Sequence, residues 1–125
     1  MGTNKKKAIK VTWEGDHISL NDWYGSNHWT NRYTQKVRWH DFFKKLLTSE
    51  TILNFDTYEI TLVYNSRLDP SNTVAMVKLF EDTMKKLGMI KDDSKKYCKG
   101  IQIIPNLEMK QKEYTIIVTG YGKED

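Results

Sequence analysis

What this sequence has little of narrows the field first. Its single cysteine, Cys98, excludes an intrachain disulfide and any Cys-based metal site. The three histidines, His17, His28 and His40, show no ligand spacing such as i, i+4 on one helix, so no zinc site is assigned. No apolar run approaches membrane-spanning length, and no apolar stretch follows the N-terminal lysines as a secretion signal requires. A cytoplasmic protein with no membrane partner is therefore expected. Only two prolines and seven glycines occur, and there is no internal repeat, low-complexity tract or interdomain linker.

What is present suits one folded unit. The 125 residues match one ordinary domain, and 38% hydrophobic with 12% aromatic residues is enough to build a core. The mean hydropathy of -0.68 reflects the exposed surface of a small domain. The net charge is +4 and the isoelectric point about 9.1, a modest excess that suits a polyanionic partner. Lys5, Lys6 and Lys7 open the chain, and Lys85, Lys86, Lys91, Lys95, Lys96 and Lys99 crowd its second half. These lysines form either a DNA-facing surface or simply a solvated face and a frayed end.

Residues 1–7 are expected to be a basic flexible tail, with one domain over 8–125. Ala8 to Trp13 alternates as a strand with Ile9, Val11 and Trp13 on its apolar side. Glu14-Gly15-Asp16 is turn chemistry, and His17 to Leu20 can resume extended structure. Residues 21–31 read as a long loop, and Thr34 to about Leu47 as a helix. Tyr58 to Tyr64 is a strand. A second helix is expected over roughly 71–87, started by Asp69 or Ser71 and stopped by Gly88. Val74, Val77, Glu81, Met84 and Gly88 trace one of its faces, with Phe80 and Leu87 beside it. Ile101 to Ile104 and Tyr114 to Thr119 close the chain as strands, joined by a turn around Asn106–Lys112. The order β-α-β-α-β-β implies an α+β fold, a mixed four-stranded sheet with two helices.

The chemistry-bearing stretch is Arg67 to Ser94. Asp69 ends a loop leading out of a strand. Lys78 and Asp82 stand one turn apart and share a helix face. Asp92 and Asp93 follow the helix, where the chain can fold back towards the sheet. Carboxylates converging from a strand end and a loop are what a hard cation such as Mg²⁺ needs. Such an ion activates water and stabilises the leaving oxygen in phosphodiester hydrolysis, and a nearby lysine offsets charge on the scissile phosphate. Each residue also has a structural reading. Asp69 is a helix cap, Lys78 with Asp82 an exposed ion pair, and Asp92-Asp93 a turn.

In order, Arg67, Asp69, Pro70, Asn72, Lys78, Asp82, Gly88, Asp92 and Asp93 fall into a pattern that resembles the signature of RusA-like Holliday junction resolvases. The family pattern runs approximately R-x-D-P-D-N, a lysine, an aspartate four residues on, then Gly and an Asp-Asp pair. Ile18-Ser19-Leu20-Asn21, Tyr24, Arg32 and Lys36 resemble its opening and first helix more loosely. The resemblance implies a RusA-like fold and a Mg²⁺-dependent endodeoxyribonuclease acting on branched DNA as a homodimer. It implies Asp69, Asp92 and Asp93 as metal ligands and Lys78 as the catalytic lysine. Asn72 and Asp82 are expected either to orient the site or to serve the helix structurally, with Ser71 beside them, and DNA contacts are expected at Arg67, Lys85, Lys86, Lys91, Arg32 and Trp29. The departure is Ser71, which stands where the family's second aspartate belongs. Three explanations compete: Asp82, Asp56 or Glu81 substitutes; fewer carboxylates suffice; or catalysis is lost and the protein only binds DNA or another protein.

The loop carrying Trp23, Tyr24, His28, Trp29, Arg32 and Tyr33 interleaves aromatic and cationic groups, as stacking on unpaired bases requires. The alternative is that Trp23 and Trp29 pack on the core under a long loop.

Overall fold

The structure, a computed structural model, describes residues 4–15, 29–48 and 54–123. Its elements are β1 (Asn4–Glu14), α1 (Trp29–Thr48), β2 (Thr57–Asn65), a 3-10 turn (Pro70–Thr73), α2 (Val74–Lys86), β3 (Cys98–Pro105) and β4 (Glu113–Lys123). The fold is α+β, and the four strands form one mixed sheet in the order β1-β4-β2-β3. β4 is antiparallel to both β1 and β2, whereas β3 runs parallel to β2.

Period-two alternation explains which face of the sheet is covered. Registered rows place Ile9, Val118 and Ile60 side by side, then Val11, Ile116 and Leu62, then Trp13, Tyr114 and Tyr64. All nine are buried. Phe43 and Leu47 of α1 and Met76, Phe80 and Met84 of α2 are buried in the same core. Phe43 meets Phe80 edge-on at 5.1 Å between ring centres, and Trp13 stacks on Tyr114 at 5.4 Å. Lys6, Ala8, Lys10 and Thr12, on the other side of β1, are exposed. Burying a large side chain contributes about 1.5–3 kcal/mol, so this one apolar face accounts for the two-layer arrangement.

The starts of β1 and α1 and one residue of the α2 face differ from the local pattern. β1 begins at Asn4, so Lys5, Lys6 and Lys7, expected in a flexible tail, pair with Gly122, Tyr121 and Gly120 of β4. Backbone pairing is indifferent to side-chain polarity, which is why three lysines mask a strand. α1 begins at Trp29, so Trp29, Arg32 and Tyr33 are helical rather than loop residues. Packing of Trp39, Phe43 and Leu47 on the core outweighs the weak helix propensity of Thr30 and Asn31. Of the face expected for α2, Val77, Glu81 and Met84 are buried with Phe80 beside them, whereas Val74 is 46% exposed; Ala75, Met76 and Leu79 widen the buried set.

β3 and β4, consecutive in sequence, are not neighbours in the sheet, because β2 lies between them. The 106–112 turn therefore spans a strand rather than closing a hairpin. Gly88 adopts φ 76 just beyond α2 and donates its N–H to the Lys85 carbonyl at 3.1 Å. A helix ended by a left-handed glycine is the stop read from the sequence. No described helix is long and apolar enough to cross a membrane.

Candidate functional site

The connection leaving β2 is held by its own hydrogen bonds. The Tyr64 hydroxyl donates to the Leu68 carbonyl at 2.7 Å, and the Leu68 N–H donates to Ser66 Oγ at 3.2 Å. The Asn72 N–H donates to the Asp69 carbonyl at 2.9 Å, and the Thr73 hydroxyl to the Pro70 carbonyl at 2.7 Å. Asp69 occupies the N-cap position of the 3-10 turn, yet its carboxylate makes no capping hydrogen bond. It is exposed at the end of the strand. Burial raises the pKa of the Tyr64 hydroxyl, and the negative charge of Asp69 adds to that shift.

Asp92 and Asp93 are brought back by the anchor that follows α2. Met89 and Ile90 are buried, and the Phe55 N–H donates to the Met89 carbonyl at 2.8 Å. From there the chain returns along the helix, and the Lys78 ammonium donates to Asp93 Oδ2. Lys78 also lies 3.9 Å from Asp82. One turn further along, Lys85 pairs with Asp92 at 2.9 Å. The Lys85 hydrogen bond lowers the Asp92 pKa, and Asp92 in turn raises that of Lys85. The structure thus gathers Lys78, Asp82, Asp93, Asp92 and Lys85 into one charge array on the exposed side of α2.

Asp69 stands at the head of the helical run that carries Lys78, and no ion pair or hydrogen bond among the described residues joins it to Lys78 or Asp93. Among the described residues, no three His, Cys, Asp or Glu side chains gather as a metal-binding group. Ser71 and Arg67 are exposed, Asn72 is half-buried, and Lys91 is exposed beyond the helix.

The three acids named as substitutes for a carboxylate at Ser71 lie in different places. Asp56 precedes β2, at the opposite end of the strand from Asp69, and its N–H donates to the Tyr121 carbonyl at 2.7 Å. Nine strand residues at ~3.3 Å each separate the two acids by roughly 30 Å. Glu81 is only 3% exposed and accepts a hydrogen bond of 2.6 Å from the Tyr58 hydroxyl. Burial, with that bond, pushes the Tyr58 pKa far up. Asp82, beside Lys78, is the remaining candidate.

The aromatic loop is only partly in view. His17, Ile18 to Asn21, Trp23, Tyr24 and His28 lie outside the described residues. Trp29 and Arg32 fall on the first turns of α1, and Tyr33 is 64% exposed there. No protein-family model matches this sequence, and a search of curated proteins finds no match.

Two features escape the sequence. One is the contact of Lys86 Nζ with His40 Nδ1 at 3.0 Å, across 46 residues. No local signal could have paired them. The other is Lys112, whose backbone is left-handed with φ 65 in a polar turn without glycine. Burial, reinforced by the Lys86 ammonium, holds His40 below the usual histidine pKa. Lys36 adds to that depression, while Asp82 and Asp41 oppose it. The folded chain therefore binds fewer protons here than the unfolded chain. The His40 contribution to stability is full above about pH 6.5 and is lost as the pH falls from there towards the lower folded pKa. Urea midpoints measured from about pH 8 to about pH 5 should decline in the wild type and decline less in His40→Gln. Identical profiles would refute this account of His40.

Proposed function

We propose that this chain is a RusA-like, Mg²⁺-dependent, structure-selective endodeoxyribonuclease that nicks branched DNA by phosphodiester hydrolysis, acting as a homodimer. The observation that carries this reading is the contact of Lys78 with Asp93, fifteen residues away. The lysine and a carboxylate of the motif meet on the helix headed by Asp69, whose carboxylate is not spent on capping. A purely structural Asp69 would use its side chain as the cap.

The donor chemistry fits a hard cation. Mg²⁺ is commonly held by one or two carboxylates, with water and substrate phosphate completing six ligands. Asp69 and Asp93 would hold it, with Asp92 beside them. When bound, the ion lowers the pKa of a coordinated water and stabilises the leaving oxygen. Lys78 faces the scissile phosphate and offsets its charge, and Asp82 keeps the ammonium at this end of α2 when Asp93 is engaged elsewhere. A junction has two-fold character and needs paired nicks, which is the reason for a C2 homodimer.

A second reading, a non-cleaving protein of the same fold that binds DNA or a protein partner, is favoured by Ser71. Its hydroxyl cannot replace a carboxylate charge, and Asp92 and Asp93 are each already paired with a lysine. Incubating the protein with a synthetic four-way junction and Mg²⁺, against linear duplex of the same sequence, separates the two. Junction-selective nicking supports the nuclease. Binding without nicking supports the alternative.

DNA binding should weaken steeply with salt. Lys85→Ala with Lys86→Ala should lower affinity for all sequences and reduce the log–log salt slope by about two. Binding that ignores salt would count against a DNA-acting protein. Light scattering should give twice the 14.8 kDa chain mass. A monomer that stays monomeric on DNA removes the paired-nick scheme.

A further inference from the structure

Beyond the acidic array, the structure holds a cavity of about 550 Å³ lined by Gly15, Asn65, Ser66, Arg67, Gln111 and Lys112. Three separate segments build it, and their backbones are tied together. The Lys112 N–H donates to the Asn65 carbonyl at 2.7 Å, and the Gly15 N–H donates to the Lys112 carbonyl at 2.8 Å. Asn65 Nδ2 donates to the Met109 carbonyl at 2.6 Å, which fixes the side chain at the wall. Lys112 is the one described residue other than glycine with positive φ. Glycine adopts that conformation without strain, whereas a residue with a side chain seldom does. Bonds on both sides of Lys112 hold it there. Backbone outliers held in this way cluster at ligand sites.

The charge of the lining is one-sided. It offers the Arg67 guanidinium, the Lys112 ammonium, two amides and a hydroxyl, and no carboxylate. Neither cation has an ion-pair partner among the described residues. Glu14, next to Gly15, is engaged by Lys110 at 3.1 Å. A guanidinium fork and a point ammonium together match a phosphate group. Arg67 is also two residues from Asp69, so the cavity adjoins the connection that carries the first acid of the motif.

We propose that this cavity is a phosphate-binding subsite, in which Arg67 and Lys112 hold a backbone phosphate of the DNA strand that passes Asp69. The choice of DNA rests on the proposed function; the phosphate chemistry rests on the cavity itself. Lys112 is thereby a binding residue kept in a conformation that suits glycine better.

Two measurements test this, one for each part. In the first, inorganic phosphate is titrated into the protein, with chloride as control, and backbone amide shifts are followed by NMR. Saturable shifts at Ser66, Arg67, Gln111 and Lys112, lost in Arg67→Gln, support the subsite. No saturable shift at these amides overturns it. In the second, junction binding is measured against salt for the wild type and Lys112→Gly. Glycine relieves the backbone, so its urea midpoint should hold or rise. Its salt slope should fall by about one, with weaker binding to every sequence. An unchanged slope and affinity overturn DNA as the source of the phosphate, even where free phosphate binds. Junction nicking by the wild type is scored alongside. Nicking with no phosphate response removes the subsite and leaves the nuclease standing. A phosphate response in a protein that binds no DNA does the reverse.

Discussion

Asp69→Asn is expected to lower junction nicking by at least ~10³-fold, equivalent to about 4 kcal/mol of lost transition-state stabilisation. The amide keeps the size of the side chain but removes the charge that would hold a divalent cation. Folding should be unaffected, because the Asp69 carboxylate is exposed and makes no capping hydrogen bond. DNA binding should be equal or tighter, since one charge that repels phosphate is gone. Anisotropy with the uncut junction and a urea titration, run beside the nicking assay, distinguish loss of chemistry from loss of fold. Retained nicking in a preparation free of contaminating nuclease would place the chemistry elsewhere. Ser71→Asp supplies the carboxylate that the motif lacks. It should raise Mg²⁺ affinity and raise or restore nicking. Ser and Asp cap helices about equally well, so a purely structural position predicts a small stability change and no gain. A wild type that never cuts, together with a Ser71→Asp protein that never cuts, would hand the function to the binding-protein reading.

Gly120→Ala is expected to destabilise the fold by about 3 kcal/mol or more. A Cβ at this position would run into the Thr57 carbonyl oxygen and come within 2.9 Å of the Tyr58 Cα. Both obstacles are backbone atoms of β2, paired with β4 along its whole length, so neither can step aside without breaking the sheet. Phe55, buried next to the strand, closes the remaining side at 2.9 Å. Folded domains are stable by only about 5–15 kcal/mol, so the change should lower the urea midpoint strongly. A Gly120→Ala protein as stable as the wild type would mean that β2 and β4 lie further apart here than described.

The elements with strong local periodicity were legible from the chain alone. Tyr58 to Tyr64 alternates, and β2 covers it with one more residue at each end. Gly88 ends the second helix through the left-handed turn that its lack of Cβ allows. The motif placed Lys78 and Asp82 on one helix face, and they lie 3.9 Å apart. Where side-chain pattern is absent, an element leaves no local mark. The lysines of β1 conceal a strand specified by pairing with β4. Asn31 and Thr30 conceal the start of a helix whose apolar residues come later.

The sequence by itself determined the fold class, the four strands and two helices, the end of α2 at Gly88, and the order of the acidic and basic residues of the motif. Each depends on neighbours within a few positions, where dihedral preference and hydrophobic period act directly. The tertiary structure alone decided the rest. It inserted β2 between β3 and β4, and it brought Asp93 to Lys78 across fifteen residues and Lys86 to His40 across 46. It committed Glu81 to Tyr58 and left Asp82 as the acid beside Lys78. It also closed Arg67 and Lys112 around one cavity. Contacts between distant segments are set by packing of the shared apolar face, and a side chain carries no local mark of the neighbour that this packing will bring.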